Sequence, residues 1–387
     1  MGLLSLALAM GIGRFAYTPL LPLMIRDGLL GGDTGAWLAT ANYAGYLLGA
    51  LYASSIRLPP ARQMNLSWIA IVAVTACMAV GNSAALWILW RFIAGVLSAC
   101  ALIATSAWVL PQLAQLGRPA LAGVVYAGIG VGIAGVGVFC LIAARIGSDA
   151  RSMWIGLALL AGIVAVSARR LMLQPDIPEA RRDPEDPSIP PRKTGLLIFC
   201  YGVGGFGYIL PATFLPIMAR ALVDDPAKFG LAWPIFGVAA TLSTLIIAYG
   251  LPRANRMKVW SLSYIAMAIG AALPTVWPSL IAVIVSALLV GGTFLIITMA
   301  GFQEARARAP SAPTALLGRM TAAFAFGQIL GPALVPIIPG QTAGSALPLC
   351  LRFAAACLLG AAALLWTMAP ANSDDSPHAA SRSRGAG

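Results

Sequence analysis

The stretch GIGRFAYTPLLPLM, residues 11–24, sets one cation into an apolar run, and no acidic residue lies within twelve positions of Arg14 on either side. Its elements FAY (15–17) and LPLM (21–24) return in the second half of the chain as FGY (206–208) and LPIM (215–218). The gap between the two elements differs by three residues, so the repeat is faint. It nevertheless makes two distant segments of the chain begin alike, as parallel internal repeats would.

Working outward, 59% of the residues are hydrophobic and only 10% charged, far from the balance of a soluble domain. A bilayer span needs ~20 mostly apolar residues. Twelve such stretches can be marked, near 3–23, 34–56, 65–82, 84–109, 119–144, 151–170, 194–220, 228–250, 258–275, 279–302, 314–337 and 344–368. Strands of a membrane barrel would alternate over about ten residues, whereas these runs are longer and apolar on all sides. The reading is an all-α membrane protein with twelve transmembrane helices in two six-helix bundles.

The first stretch lacks the basic start of a secretory signal and stays apolar past Ala7 and Ala9 to Met24, so it reads as a retained helix. The six cysteines all fall inside spans without metal-type spacing and read as small packing residues. With the N-terminus placed inside, seventeen of the twenty-five Lys and Arg fall in inner loops and tail, which predicts an inner-membrane protein with both termini cytoplasmic. The charge of +12 then reflects topology. Nucleic-acid binding would need a basic soluble surface, and the sequence has no soluble domain to carry one.

The interval RRLMLQPDIPEARRDPEDPSIPPRK (169–193) divides six spans from six and reads as a linker, rich in proline and mixed charge. The expected organisation is an N-terminal bundle over 1–170, a linker over 171–193, a C-terminal bundle over 194–370 and a disordered tail over 371–387.

Twelve spans in two sixes, the basic central loop and RFIAG (91–95) in the fourth span resemble the major facilitator superfamily. GIGRFAYTPLLP (11–22), WLATANYAGYLLGAL (37–51) and GRMTAAFAFGQILGP (318–332) are similar to its YbfB/YjiJ-type group. The resemblance covers the whole chain. It implies secondary transport by alternating access, with the first, fourth, seventh and tenth helices lining a central cavity, and it implies no substrate. Two departures stand out. The loop GALYASSIRLPPARQ (49–63) keeps Arg57 and Arg62 but lacks the superfamily's Asp, as does YGLPRANRMK (249–258), and the fifth helix lacks the Gly-Pro pair of many antiporters.

That fifth helix carries Gly130, Gly132 and Gly135 at G-x-G-x-x-G spacing. No strand precedes them and they sit in mid-span, so helix packing replaces a dinucleotide site. Pro19, Pro22, Pro211 and Pro216 read as kinks in the paired first and seventh helices.

The spans contain no Asp or Glu away from their ends, and the only histidine, His378, is in the tail. A membrane enzyme would need a metal cluster, a carboxylate pair or a His-containing nucleophile system. The sequence therefore points away from an enzyme and implies no cofactor. A channel would want a filter repeat or charged ring.

What remains is a short set of polar groups. An Arg at a helix centre costs roughly 2.5–3.5 kcal/mol on insertion scales and needs partners. On a regular helix Tyr17, Thr18 and Leu21 would share the face of Arg14. Arg14 is the first candidate for binding an anion, the alternative being an Arg tied to backbone carbonyls of neighbouring helices. Arg91, nearer a span end and able to snorkel, is the second. Arg352, on the peripheral twelfth helix, reads as structural. Asn42 and Tyr46, one turn apart, with Tyr201, Tyr208 and Gln328, are further polar candidates, each equally able to glue helices. Glu304 and Arg308 form an i,i+4 pair at the end of the tenth span.

The expectation is a secondary transporter for a small organic carboxylate anion, since a guanidinium suits a carboxylate by paired hydrogen bonds. Tyr17, Asn42, Tyr46, Arg91, Tyr208 and Gln328 accompany Arg14 at the site, protons are a candidate co-substrate, and the protein works as a monomer. An exporter of amphipathic or drug-like compounds, and a non-transporting scaffold or sensor, are the alternatives.

Overall fold

The computed structural model describes residues 1–53, 56, 58–81, 83–118, 121–172, 194–223, 225–250, 255–308, 313–338 and 343–369. The linker beyond Met172, the tail with His378 and the basic loop residue Arg57 lie outside the described residues. Among the described residues the spans are helical, apart from a turn within the first. Ten helices among the described residues are long and apolar enough to cross a bilayer: Gly2–Arg26, Pro60–Val80, Ala84–Gln115, Ala122–Arg145, Ala150–Met172, Gly195–Leu222, Arg256–Val276, Leu280–Arg308, Leu316–Ile337 and Ser345–Thr367. Gly32–Tyr52 and Ala232–Gly250 complete the twelve. The spans are numbered here from first to twelfth in chain order.

The packing displays the repeat that the sequence only hints at. In the first half the main helix pairs are first with fifth, second with fourth, third with fourth and third with sixth. Adding six to each number gives seventh with eleventh, eighth with tenth, ninth with tenth and ninth with twelfth, which are the main pairs of the second half. Between the halves the fifth span packs on the eighth and the second on the eleventh, and the same operation exchanges these two contacts. The result is two six-helix bundles related by an approximate two-fold axis, as a parallel repeat requires.

Lipid tails offer no hydrophobic drive for helix association, so close backbone approach has to supply it. A Cβ on Gly45 would run into the carbonyl of Phe92, and one on Gly95 into the carbonyl of Asn42, which fixes the crossing of the second and fourth spans. The glycine series of the fifth helix divides by neighbour: Gly128 and Gly132 abut the first span at Leu3 and Ala7, Gly130 abuts Thr241 of the eighth, and Gly135 faces open space. Packing accounts for this G-x-G-x-x-G run, which lies inside the helix Ala122–Arg145.

The first span is broken more fully than the kinks expected at Pro19 and Pro22. It begins as α-helix over Gly2–Leu6, widens to a π-helix over Ala7–Ile12, turns through 13–16 and resumes as α-helix over Tyr17–Arg26. Gly13 N donates to Leu8 O and Phe15 N to Met10 O, each five residues back, while Thr18 N turns to Phe15 O. Pro19 has no N–H to offer. The carbonyls of Gly13 and Arg14 are therefore released from the usual ladder at mid-span, where they need other donors.

Candidate functional site

Arg91 of the fourth span supplies those donors. Its Nη2 donates to Arg14 O at 2.7 Å and its Nη1 to Gly13 O at 3.4 Å. The guanidinium also lies over the ring of Tyr17, 4.9 Å from the centroid, and the Tyr17 hydroxyl donates to Gly35 O at 2.9 Å. Asn42 Nδ2 in turn donates to Arg91 O at 2.8 Å. Arg91, 2% exposed, thus clamps the broken first span. Tyr17 faces Arg91 and not Arg14, because the π-segment and turn shift the register on which a shared helical face would depend.

Arg14 points toward the other half. Its Nη2 donates to Gln328 Oε1 of the eleventh span at 2.5 Å, and Gln328 Nε2 donates to the Tyr208 hydroxyl of the seventh at 2.7 Å. The guanidinium stacks over Tyr46 with 3.8 Å to the ring centroid, and the rings of Tyr43 and Phe15 each lie at 5.3 Å. Arg14 is 3% exposed. A hydrogen bond to a charged group contributes about 1.5–3 kcal/mol and a desolvated cation–π contact about 2. Together these offset the ~2.5–3.5 kcal/mol of placing the cation at mid-span. They do not cancel its charge, and among the described residues neither Arg14 nor Arg91 has an acidic partner. The buried Nε of each arginine and Asn42 Oδ1 have no hydrogen-bond partner.

Tyr208 is stacked between Phe294 at 5.3 Å and Phe324 at 5.5 Å. The column continues through Phe236 to Trp233 in one direction and through Tyr201 to Trp260 in the other. Trp233 meets Phe15 of the first span at 6.2 Å, so the column reaches across to the first half. Tyr201, one of the polar candidates, belongs to this column rather than to the surroundings of Arg14.

Hydrogen bonds cross between the halves at mid-span, from Arg14 to Gln328 and between Tyr43 and Thr213 at 3.0 Å. They also cross at the face opposite Met1, where Arg220 donates to Pro22 O. The structure is thus latched at its centre and at that far face. Glu304 pairs with Arg308 at 2.7 Å and with Arg256 at 3.5 Å, joining the ninth and tenth spans inside one half. Arg352 donates to the carbonyl and hydroxyl oxygens of Thr275 on the ninth span and stays apart from the site.

Residues 6–366 match the model of a family described as the uncharacterised MFS-type transporter YbfB. That match places the chain among transporters of the major facilitator class. Within that class the chain belongs to the YbfB-type family. The nucleoside transporter NupG is structurally similar: its D323A mutant superposes with a TM-score of 0.74 at 16% identity, covering 95% of this chain and 98% of that one. A second NupG structure gives 0.71 at 15% identity with the same coverage. Likeness at this identity shows the fold alone. A search of curated protein sequences finds no match.

Proposed function

We propose that this protein is a secondary transporter carrying a small organic carboxylate by alternating access, with Arg14 as the anion's charge partner. The observation that carries this reading is a buried mid-span guanidinium whose charge no acid among the described residues balances and whose hydrogen-bond partner is the amide oxygen of Gln328. A carboxylate oxygen in that place would gain the ion pair that the amide lacks. Tyr46, Tyr208 and Gln328 contact the anion, while Arg91, Asn42 and Tyr17 hold the broken first span that presents Arg14. The halves 1–170 and 194–370 are the two rocking bodies, joined through 171–193 and followed by the tail at 371–387. The protein acts as a monomer in the inner membrane with both termini cytoplasmic, which the distribution of Lys and Arg supports. A reporter fused after Gly387 should therefore report the cytoplasm; an external signal would reverse the orientation.

Moving a monoanion against an inside-negative potential costs ~2.3 kcal/mol per 100 mV. Uptake therefore calls for a co-transported proton, most simply one shared with the substrate's own carboxylate, whereas export runs with the potential. A thermal-stabilisation screen of the purified protein tests the reading, using organic acids beside cationic and neutral drug-like compounds. Carboxylates should raise the melting temperature in a saturable manner. Stabilisation by cationic or neutral compounds alone would replace the carboxylate reading with that of an amphipath exporter. Any stabilising acid should enter liposomes faster under an inward proton gradient or leave them without one; entry driven by an inside-negative potential alone would contradict the scheme.

A further inference from the structure

We infer that the transported anion is a monocarboxylate built on a planar aromatic ring, an inference that rests on the carboxylate reading above. Charge comes first. Of Arg14, Arg91 and Arg352, the last is bound to Thr275, and both terminal nitrogens of Arg91 donate to the carbonyls of Gly13 and Arg14. At mid-span, among the described residues, Arg14 is the arginine whose guanidinium reaches across the interface between the halves; Arg220 crosses it at the far face, where it is bound to Pro22 O. One cation suits one negative charge, and a second carboxylate would be buried beside aromatic rings without a partner.

The body of the substrate is set by what surrounds that cation. Tyr46, Tyr43 and Phe15 ring the guanidinium on the first-half side. On the other side Gln328 bonds to Tyr208, a member of the stacked series Phe236, Phe294, Tyr208 and Phe324. Phe324 is half-buried and the others are buried, so the series forms a wall of ring faces and edges. A planar ring entering between these walls gains offset or edge-to-face contacts of about 0.5–1.5 kcal/mol each beyond its area burial. A saturated body of the same size gains only the burial.

Hydroxyl-rich substrates fit poorly for the opposite reason. The Tyr208 hydroxyl accepts from Gln328, Tyr43 pairs with Thr213, and Tyr17 donates to Gly35 O. A sugar or polyol would have to break these bonds or leave its own hydroxyls unpaired in a dry site. The planar carboxamide of Gln328, held on Arg14, marks the place of the carboxylate, and the ring would lie between Tyr46 and Tyr208 once the amide swings aside.

The test uses wild-type protein in detergent and four probes: benzoate, cyclohexanecarboxylate, phthalate and benzamide. Benzoate and cyclohexanecarboxylate share charge and carbon count and differ in planarity and π-character. Benzoate should bind at least ~10-fold more tightly than cyclohexanecarboxylate, by the ring contacts summed over two or more neighbours. Phthalate should bind weakly and benzamide not at all. Tyr208→Leu should shrink the preference for benzoate over cyclohexanecarboxylate toward parity, and Tyr208→Phe, which keeps the ring, should retain that preference. If Tyr208→Leu does not fold, the wild-type series decides by itself. Equal or tighter binding of cyclohexanecarboxylate or phthalate, or binding of aliphatic acids with no response to benzoate, overturns the aromatic inference and leaves the carboxylate reading standing. Absence of binding by every carboxylate tested removes both.

Discussion

Gln328→Glu should silence the transporter while making it more heat-resistant. The Gln328 oxygen lies 2.5 Å from Arg14 Nη2, so the substituted carboxylate would form a direct ion pair in a low-dielectric setting without moving the backbone. That internal anion is tethered to the protein and never diffuses away, and a free carboxylate must compete with it. Binding of free carboxylates should fall by ~100-fold or more, corresponding to about 2.8 kcal/mol at 1.4 kcal/mol per tenfold. The same bond staples the first span to the eleventh, so the melting temperature should rise and exchange between states should slow. Gln328→Met keeps the volume but removes the oxygen; it should loosen the latch and leave carboxylate binding within a few-fold of wild type. Titrating the variants with benzoate by thermal shift measures both effects. Wild-type affinity in Gln328→Glu would mean that the amide oxygen does not mark the anion's place.

The fold was readable from hydropathy because the bilayer imposes a length on each apolar run and requires every backbone group to be satisfied within it. Gly32–Tyr52 is instructive on this point: it falls outside the strongly apolar set, and it is the helix that carries Asn42, Tyr43 and Tyr46 to the site. Reduced hydropathy in one span of a hydrophobic chain was a usable sign of the polar centre. Arg14 was legible for the same reason, since a mid-span cation demands partners. The identity of those partners was less so. Gln328 and Tyr208 stand out as polar residues in apolar runs, but their junction with Arg14 spans most of the chain and depends on how the halves pack.

Tyr43, Thr213 and the rings of Phe294 and Phe324 escaped the sequence reading. An apolar ring in an apolar helix carries no local signal, and a tyrosine or threonine in a span reads equally well as helix glue. The sequence reading placed kinks at Pro19 and Pro22 but not the π-segment before them, because hydropathy does not distinguish i−5 from i−4 bonding. Gly11, Gly13 and Pro19 bracket it and were the available clue, with Gly11 pressed against Gly132 of the fifth span and Gly13 against Ser98 of the fourth. Missing the break misplaced Tyr17. Arg91, read as a second anion candidate because it is a cation in the fourth span, has its terminal nitrogens on the released carbonyls of the first span.

The central claim is that Arg14 supplies the charge that holds the anion. Removing it takes away a desolvated charge partner, an effect of about 2–5 kcal/mol, or roughly 30- to 4,000-fold in affinity. Arg14→Lys keeps the charge but loses the planar fork, so it should bind weakly rather than not at all. The most direct measurement is equilibrium binding of benzoate to purified wild-type, Arg14→Lys and Arg14→Ala protein, each confirmed as folded by its helical circular dichroism and melting transition. Saturable binding in wild type, weakened in Arg14→Lys and absent in Arg14→Ala, is the predicted result. Equal affinity in wild type and Arg14→Ala would show that the anion is held elsewhere and that Arg14 serves only to latch the two halves.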